Sequence, residues 1–158
     1  MPHTVDELLG MKREELEGLF RSVNNPGPIP DGFGKGTALL APGPLEKDVA
    51  KFINKWIWKG KVFNRQKGTL LNVVFGVIEA FKARVSTDHS IDDPPNQSIV
   101  LDYSHDNNDL VRFVRDEIRQ ISPNLYLGKV YFGTPESETA LGYFCLQFGT
   151  KSRPKKTR

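Results

Sequence analysis

The sequence predicts an α+β, mainly β domain: a curved antiparallel sheet or small barrel of about seven strands, with N-terminal helices and one inserted helix. Three observations predict it. From Trp58 onward, apolar residues recur with period two in one short run after another. Turn-forming segments such as Arg65-Gln66-Lys67-Gly68 separate the runs. Helical spacing of apolar residues is confined to the stretches before Trp58 and to one later segment.

The elements follow in order. Thr4 and Glu7 form a capping-box pattern at a helix start. Leu8, Leu9, Leu16, Leu19, Phe20 and Val23 then recur at helical spacing, and Gly10 divides them into a short helix and a longer one. Residues 24–36 are dense in Pro and Gly and read as an ordered loop. Thr37 to Ala41 is a short first strand, ended by Pro42 and Pro44. Leu45, Val49, Phe52, Ile53 and Trp56 line one face of the inserted helix, with Lys47, Lys51 and Lys55 opposite.

The period then changes to two. Strands at Trp58 to Asn64 and Thr69 to Phe75 flank a hairpin turn. Ala80 to Thr87 alternates Phe81, Ala83 and Val85 with Lys82, Arg84 and Ser86. Residues 88–97 hold Pro94-Pro95 and form an exposed loop. Ser98 to Ser104 opposes Ile99, Leu101 and Tyr103 to Val100, Asp102 and Ser104. In Asp109 to Ile121 the spacing of Leu110, Val114, Ile118 and Ile121 predicts a further helix, stopped by Pro123. Leu125 to Gly133 and Ala140 to Thr150 complete the strands. Such a meander curls on itself, and a small barrel of this kind holds one small ligand. An open sheet packed on helices is the structural alternative.

A chain of 158 residues makes one domain with a core that needs no staples. Residues 1–150 form that domain, of which 1–36 are the helical lead and the Pro/Gly loop; 151–158 form a basic tail. The net charge is +3, and the tail carries five cations and no acid, so 3 − 5 = −2 remains on the body. Nucleic-acid readers carry their positive charge on the folded face, so a nucleic-acid partner is disfavoured. The single cysteine excludes an internal disulfide and a Cys-rich zinc site. The first nine residues contain acids and no apolar run, and no apolar stretch approaches the roughly 20 residues of a membrane helix. The expected location is cytoplasmic, or nuclear through the tail, with no membrane partner.

Trp56-Ile57-Trp58-Lys59-Gly60-Lys61-Val62-Phe63, the hairpin Gly68 and Asn72 resemble the opening of a lipocalin-like small barrel. That resemblance implies a ligand-holding interior. The run from Val114 to Gly128, VRDEIRQISPNLYLG, resembles a segment of a family of short uncharacterised proteins and implies no activity.

No motif dictates a reaction. Gly32, Gly34, Gly36 and Lys35 lack the spacing of a phosphate loop. His3, His89 and His105 lack paired metal-ligand spacing, so neither metal nor cofactor is expected. Cys145, among Phe144, Leu146 and Phe148, reads as a buried inert thiol. Asp102 is the most suggestive residue. Facing inward it requires a partner, because bare burial of a carboxylate is costly, and Lys61, Lys82, Arg84 and Arg115 are the candidates. So placed it orients a ligand or acts as a general base; otherwise it is half of a structural ion pair. Arg115 either clamps an anion or sits on a solvated helix face. The Tyr143, Cys145 and Gln147 side of the last strand is more polar than the Phe144, Leu146 and Phe148 side, and in a barrel it lines the cavity.

The leading expectation is a barrel binding a small, largely apolar or aromatic molecule with one polar or anionic group. Trp58, Lys61, Phe63, Asn72, Arg84, Tyr103, Tyr131, Tyr143 and Gln147 are its candidate ligand contacts. The alternative is a cofactor-independent isomerase, cyclase or hydratase using Asp102, His105, Arg115 and Tyr126. A third is a protein-interaction or nuclear accessory module.

Overall fold

The computed structural model describes residues 2–40, 58–107, 110–134 and 137–149. Two helices, α1 (Val5–Leu9) and α2 (Arg13–Ser22), precede eight strands. These are β1 (Gly32–Leu40), β2 (Gly60–Asn64), β3 (Thr69–Val74), β4 (Ile78–His89), β5 (Gln97–Asp102), β6 (Val114–Ser122), β7 (Leu125–Thr134) and β8 (Ser137–Gln147). Each strand pairs antiparallel with the next, and β8 pairs with β1, so the sheet closes into a barrel. Among the described strands, closure leaves none at a free sheet edge.

Local chemistry sets the connections. The Thr4 hydroxyl accepts from the Glu7 amide at 3.2 Å and caps α1, and Gly10 separates the two helices. At 65–68, Asn64 Oδ1 accepts from the Lys67 amide at 3.0 Å and Gly68 takes φ +65°. That conformation favours glycine and closes a tight hairpin. Pro123-Asn124 links β6 to β7 directly, with Asn124 at φ +63°. Proline followed by a left-handed Asn suits a type II turn, so Pro123 makes a hairpin rather than ending a helix.

The helix expected over 109–121 is corrected. Leu110–Phe113 is a single 3-10 turn, and Val114 onward is strand β6, the eighth strand beyond the expected seven. Residues four apart share a face in a strand as well as in a helix, so Leu110, Val114 and Ile118 satisfy both periods. The inserted helix expected over 45–56 and the basic tail 151–158 lie outside the described residues. Among those residues, no helix is long and apolar enough to cross a membrane.

The barrel wall has two buried faces. Phe63, Leu70, Ala83, Val85, Ile99, Leu101, Tyr103, Ile118, Tyr126, Phe144, Leu146 and Phe148 form the inner core. On the outside, Leu8, Leu16 and Phe20 of the helices cover Leu125, Leu127, Tyr143 and Cys145. Inner aromatics lie on glycine: a methyl group on Gly34, Gly36 or Gly128 would collide with the rings of Phe148, Trp58 or Phe144 respectively. The missing side chains let three large rings lie against the wall instead of reaching across the interior.

Candidate functional site

Strand parity selects the polar groups inside. On β2, Lys61 alternates with Val62 and shares the inner face with Phe63. On β3, Asn72 stands opposite Lys61. β4 bulges at this level, where Phe81 takes φ +56° and its carbonyl accepts from Asn72 Nδ2 at 2.9 Å. Bulges of this kind re-aim backbone groups. Tyr103 follows the last residue of β5 and joins the inner core. Asp116 of β6 pairs with Val130, which packs against the same core.

These side chains converge. Lys61 Nζ donates to Tyr103 Oη at 2.6 Å and to Asn72 Oδ1 at 2.8 Å, and lies 3.1 Å from Asp116 Oδ2. Trp58 Nε1 donates to Asn72 Oδ1 at 3.1 Å, and Asn72 Nδ2 donates to Tyr103 Oη at 2.9 Å. The ammonium is 5.2 to 5.4 Å from the ring centres of Tyr103, Trp58 and Phe144. Lys61 and Asp116 have side-chain exposures of 5% and 4%. Removing two such charges from water is expensive, and only a fully bonded pair repays it. Asp116 Oδ1 is buried without a hydrogen-bond partner.

Burial pushes the Asp116 carboxyl above the usual carboxylate range, although Lys61 opposes this. Burial pulls the Lys61 ammonium down, but Tyr103 and Asp116 outweigh it and hold it above the usual lysine value. The Tyr103 phenol is raised, chiefly by burial.

Six of the residues singled out from sequence therefore face the interior: Trp58, Lys61, Phe63, Asn72, Tyr103 and Tyr126. The Tyr126 hydroxyl closes one end by donating to the Pro28 carbonyl at 2.6 Å. The others lie elsewhere. Asp102 has the outward parity of β5; its carboxylate accepts from the Ser104 amide at 2.9 Å and meets His105 Nε2 at 3.2 Å, half-exposed. Burial raises its pKa, but the hydrogen bonds from Ser104 and the nearby His105 lower it further, which makes Asp102 a poor general base. Arg84 is exposed beside Asp106, and Arg115 reaches the His89 carbonyl and Glu117 on the outer face.

The expected parity of β8 is reversed. Phe144, Leu146 and Phe148 face inward, while Tyr143 and Cys145 pack under the helices. Gln147 lines a shallow open groove of about 350 Å³ with Thr4, Val5, Asp6, Lys35 and Thr37. Tyr131 is outside as well, donating to Asp92 Oδ2 at 2.9 Å. The helices bury this outer face, so polarity alone did not identify the inner one.

Sequence reasoning missed Asp116, because β6 was read as a helix. It also missed a second polar cluster on the outer wall. Lys129 Nζ lies 2.8 Å from both Glu17 and Asp92, and the Tyr143 hydroxyl donates to Glu17. Glu117 accepts from Ser90 Oγ at 2.7 Å and from the Ile91 amide at 2.8 Å. Arg119 Nη1 donates to the Phe20 carbonyl at 2.9 Å. This belt fastens α2 and the 90–96 loop to β6 and β7. The alternation of Val114, Asp116 and Ile118 with Arg115, Glu117 and Arg119 carried the information for both clusters.

No protein-family model matches the chain, and no curated protein does. A solved structure, a protein from Thermomonospora curvata, superposes with a TM-score of 0.60 at 16% identity, over 87% of each chain. At that identity the likeness is one of fold.

Proposed function

We propose that this protein binds a small, largely apolar or aromatic molecule inside its barrel, with the Lys61, Asn72, Tyr103 and Asp116 cluster orienting the ligand's polar group. One observation carries this reading: a buried carboxylate oxygen, Asp116 Oδ1, has no hydrogen-bond partner within a largely apolar interior. Buried polar atoms are nearly always bonded, and an orphan in an apolar setting favours an incoming group as its partner. The wall-lying rings of Trp58, Phe144 and Phe148 support the same reading by supplying flat apolar contact. In this reading the protein is a lipocalin-like carrier acting in the cytoplasm.

The test is native mass spectrometry of the purified protein, followed by solvent extraction and titration of tryptophan emission with the extracted compound. A one-to-one complex whose emission change disappears in Trp58→Phe is expected. A protein that carries no compound and leaves Trp58 emission unchanged across an apolar and aromatic ligand panel overturns the reading.

A catalytic alternative is favoured by the raised pKa of Asp116, which moves the role of base from Asp102 to Asp116. It predicts deuterium exchange from solvent into a bound carbonyl compound, abolished in Asp116→Asn.

A further inference from the structure

We infer that Lys61 and Asn72 join into an intramolecular amide cross-link, with loss of one ammonia, which ties β2 to β3 covalently inside the barrel. The inference goes beyond ligand binding and involves no bound molecule. Its ground is a convergence of complementary groups. Lys61 and Asn72 stand opposite each other on adjacent antiparallel strands, where side chains are neighbours. Lys61 Nζ, a nucleophile once deprotonated, is 2.8 Å from Asn72 Oδ1; the amide carbon Cγ, one C=O bond further at most, is then within about 4 Å. Asp116 Oδ2 lies 3.1 Å from the same nitrogen and can take its proton. Trp58 Nε1 donates to Asn72 Oδ1 at 3.1 Å, on the oxygen where charge develops during attack on Cγ. Asn72 Nδ2, the leaving nitrogen, donates to Tyr103 Oη at 2.9 Å, and the Tyr103 hydroxyl in turn bonds the Asp116 carboxylate.

The step balances as a transamidation. Asp116 takes a proton from the Lys61 ammonium, and the neutral amine attacks Cγ. A C–N bond forms, and the carbonyl electron pair moves onto Oδ1 beside the Trp58 N–H. Collapse breaks the Cγ–Nδ2 bond as Asp116 passes its proton through the Tyr103 hydroxyl to Nδ2. Asp116 then takes a second proton from Nζ. The products are one secondary amide, one ammonia and a neutral Asp116 carboxyl, and nothing is oxidised or reduced. Burial favours the step. Lys61, Asn72 and Asp116 are all buried, so water does not compete for the carbon, and the reactants are held in contact. The product also removes a buried pair of charges, whose desolvation is expensive. Burial raises the Asp116 carboxyl, which helps it to take the proton. The Lys61 ammonium is held above the usual lysine value, which makes that first transfer the slow one.

The experiment measures the intact mass of the purified full chain, fresh and after overnight incubation at neutral pH, and sequences its proteolytic peptides by tandem mass spectrometry. The expected result is a chain lighter than its sequence by one ammonia, with a branched peptide joining Lys61 to Asn72 and no tryptic cleavage after Lys61. Lys61→Arg keeps a cation facing Asp116 but lacks the amine, and it should retain the full sequence mass. Asp116→Ala should retain it as well. A mass equal to that of the sequence, both fresh and incubated, overturns the inference. So does loss of ammonia without the branched peptide, which marks a succinimide at an asparagine. These readouts come from the unaltered chain, so they decide the matter even where a variant does not fold. Recovery of a bound compound bears on the binding reading alone.

Discussion

Lys61 of β2 and Asp116 of β6 form an ion pair, 3.1 Å apart, between two strands that are not neighbours in the barrel. Neither side chain is more than 5% exposed. The pair joins opposite parts of the wall through the interior, which makes each charge depend on the other. Lys61→Met should therefore cost about 3–5 kcal/mol in chemical denaturation, since it strands a buried carboxylate. Lys61→Met combined with Asp116→Leu should recover most of that loss. A double variant that loses as much as Lys61→Met and Asp116→Leu lose separately, added together, would show that the pair is not energetically coupled.

Phe144 rests on Gly128 and meets Trp58 edge-on, with ring centres 5.6 Å apart. Gly128→Ala forces that ring off the wall. The expected cost is about 1–3 kcal/mol, as for other overpacked interiors. A change in tryptophan emission should accompany it. An unshifted spectrum at full stability would mean that the ring does not lie there.

Glu17 gives the acid limb of stability a defined origin. Burial raises its carboxyl, but hydrogen bonds from Lys129, Tyr143 and Arg21 outweigh this and hold it at about 2, against 4.5 ordinarily. A carboxyl depressed in the folded state contributes stability that is complete above its unfolded pKa and is lost as pH falls through the folded one. Melting temperature should thus decline between about 4.5 and about 2. Glu17→Gln should flatten that decline while lowering the melting temperature at neutral pH. A parallel slope in the variant would place the acid sensitivity elsewhere.

Cys145 lies under the helices, and burial pushes its thiol up to about 11. Thiol reagents act on the thiolate, so native protein at neutral pH should label only as fast as it unfolds. Rapid labelling without denaturant would contradict this packing.

Asn124 holds a left-handed conformation in the turn between β6 and β7. Asn124→Gly should be nearly neutral in stability, and Asn124→Val should cost about 1–2 kcal/mol by thermal or chemical denaturation. Equal stability of the two would remove the case for a conformational requirement at this turn.

Much of the framework was legible along the chain. Gly10 marked the helix break, Gly68 marked the hairpin, and the alternation of Phe81, Ala83 and Val85 with Lys82, Arg84 and Ser86 marked both a strand and its inner face. These are local properties: capping, turn conformation and side-chain direction depend on a few consecutive residues. Lys61, Asn72 and Tyr103 were legible as candidates because polar residues interrupt otherwise apolar inner faces.

β6 was not legible. Leu110, Val114 and Ile118 are four apart and fit two periods, and Ile121 fits the helical one. In the barrel Ile121 turns outward into the helix-covered cluster, next to a register shift between Gln120 and Ser122. That misreading hid Asp116 and left Asp102 as the apparent inner acid, one strand away and of the wrong parity.

Outside β6 and the first half of β1, where Gly32–Gly36 is strand and not the loop expected over 24–36, the sequence by itself determined where the chain runs extended, where it turns and which residues alternate, since backbone sterics decide these within a few residues. Tertiary structure alone decided which sides of β7 and β8 look inward, because these two strands are buried on both faces, against the interior and beneath the helices. Burial belongs to the closed barrel and its covering helices together, so the partnership of Lys61 with Asp116 exists only once β2 and β6 face each other across it.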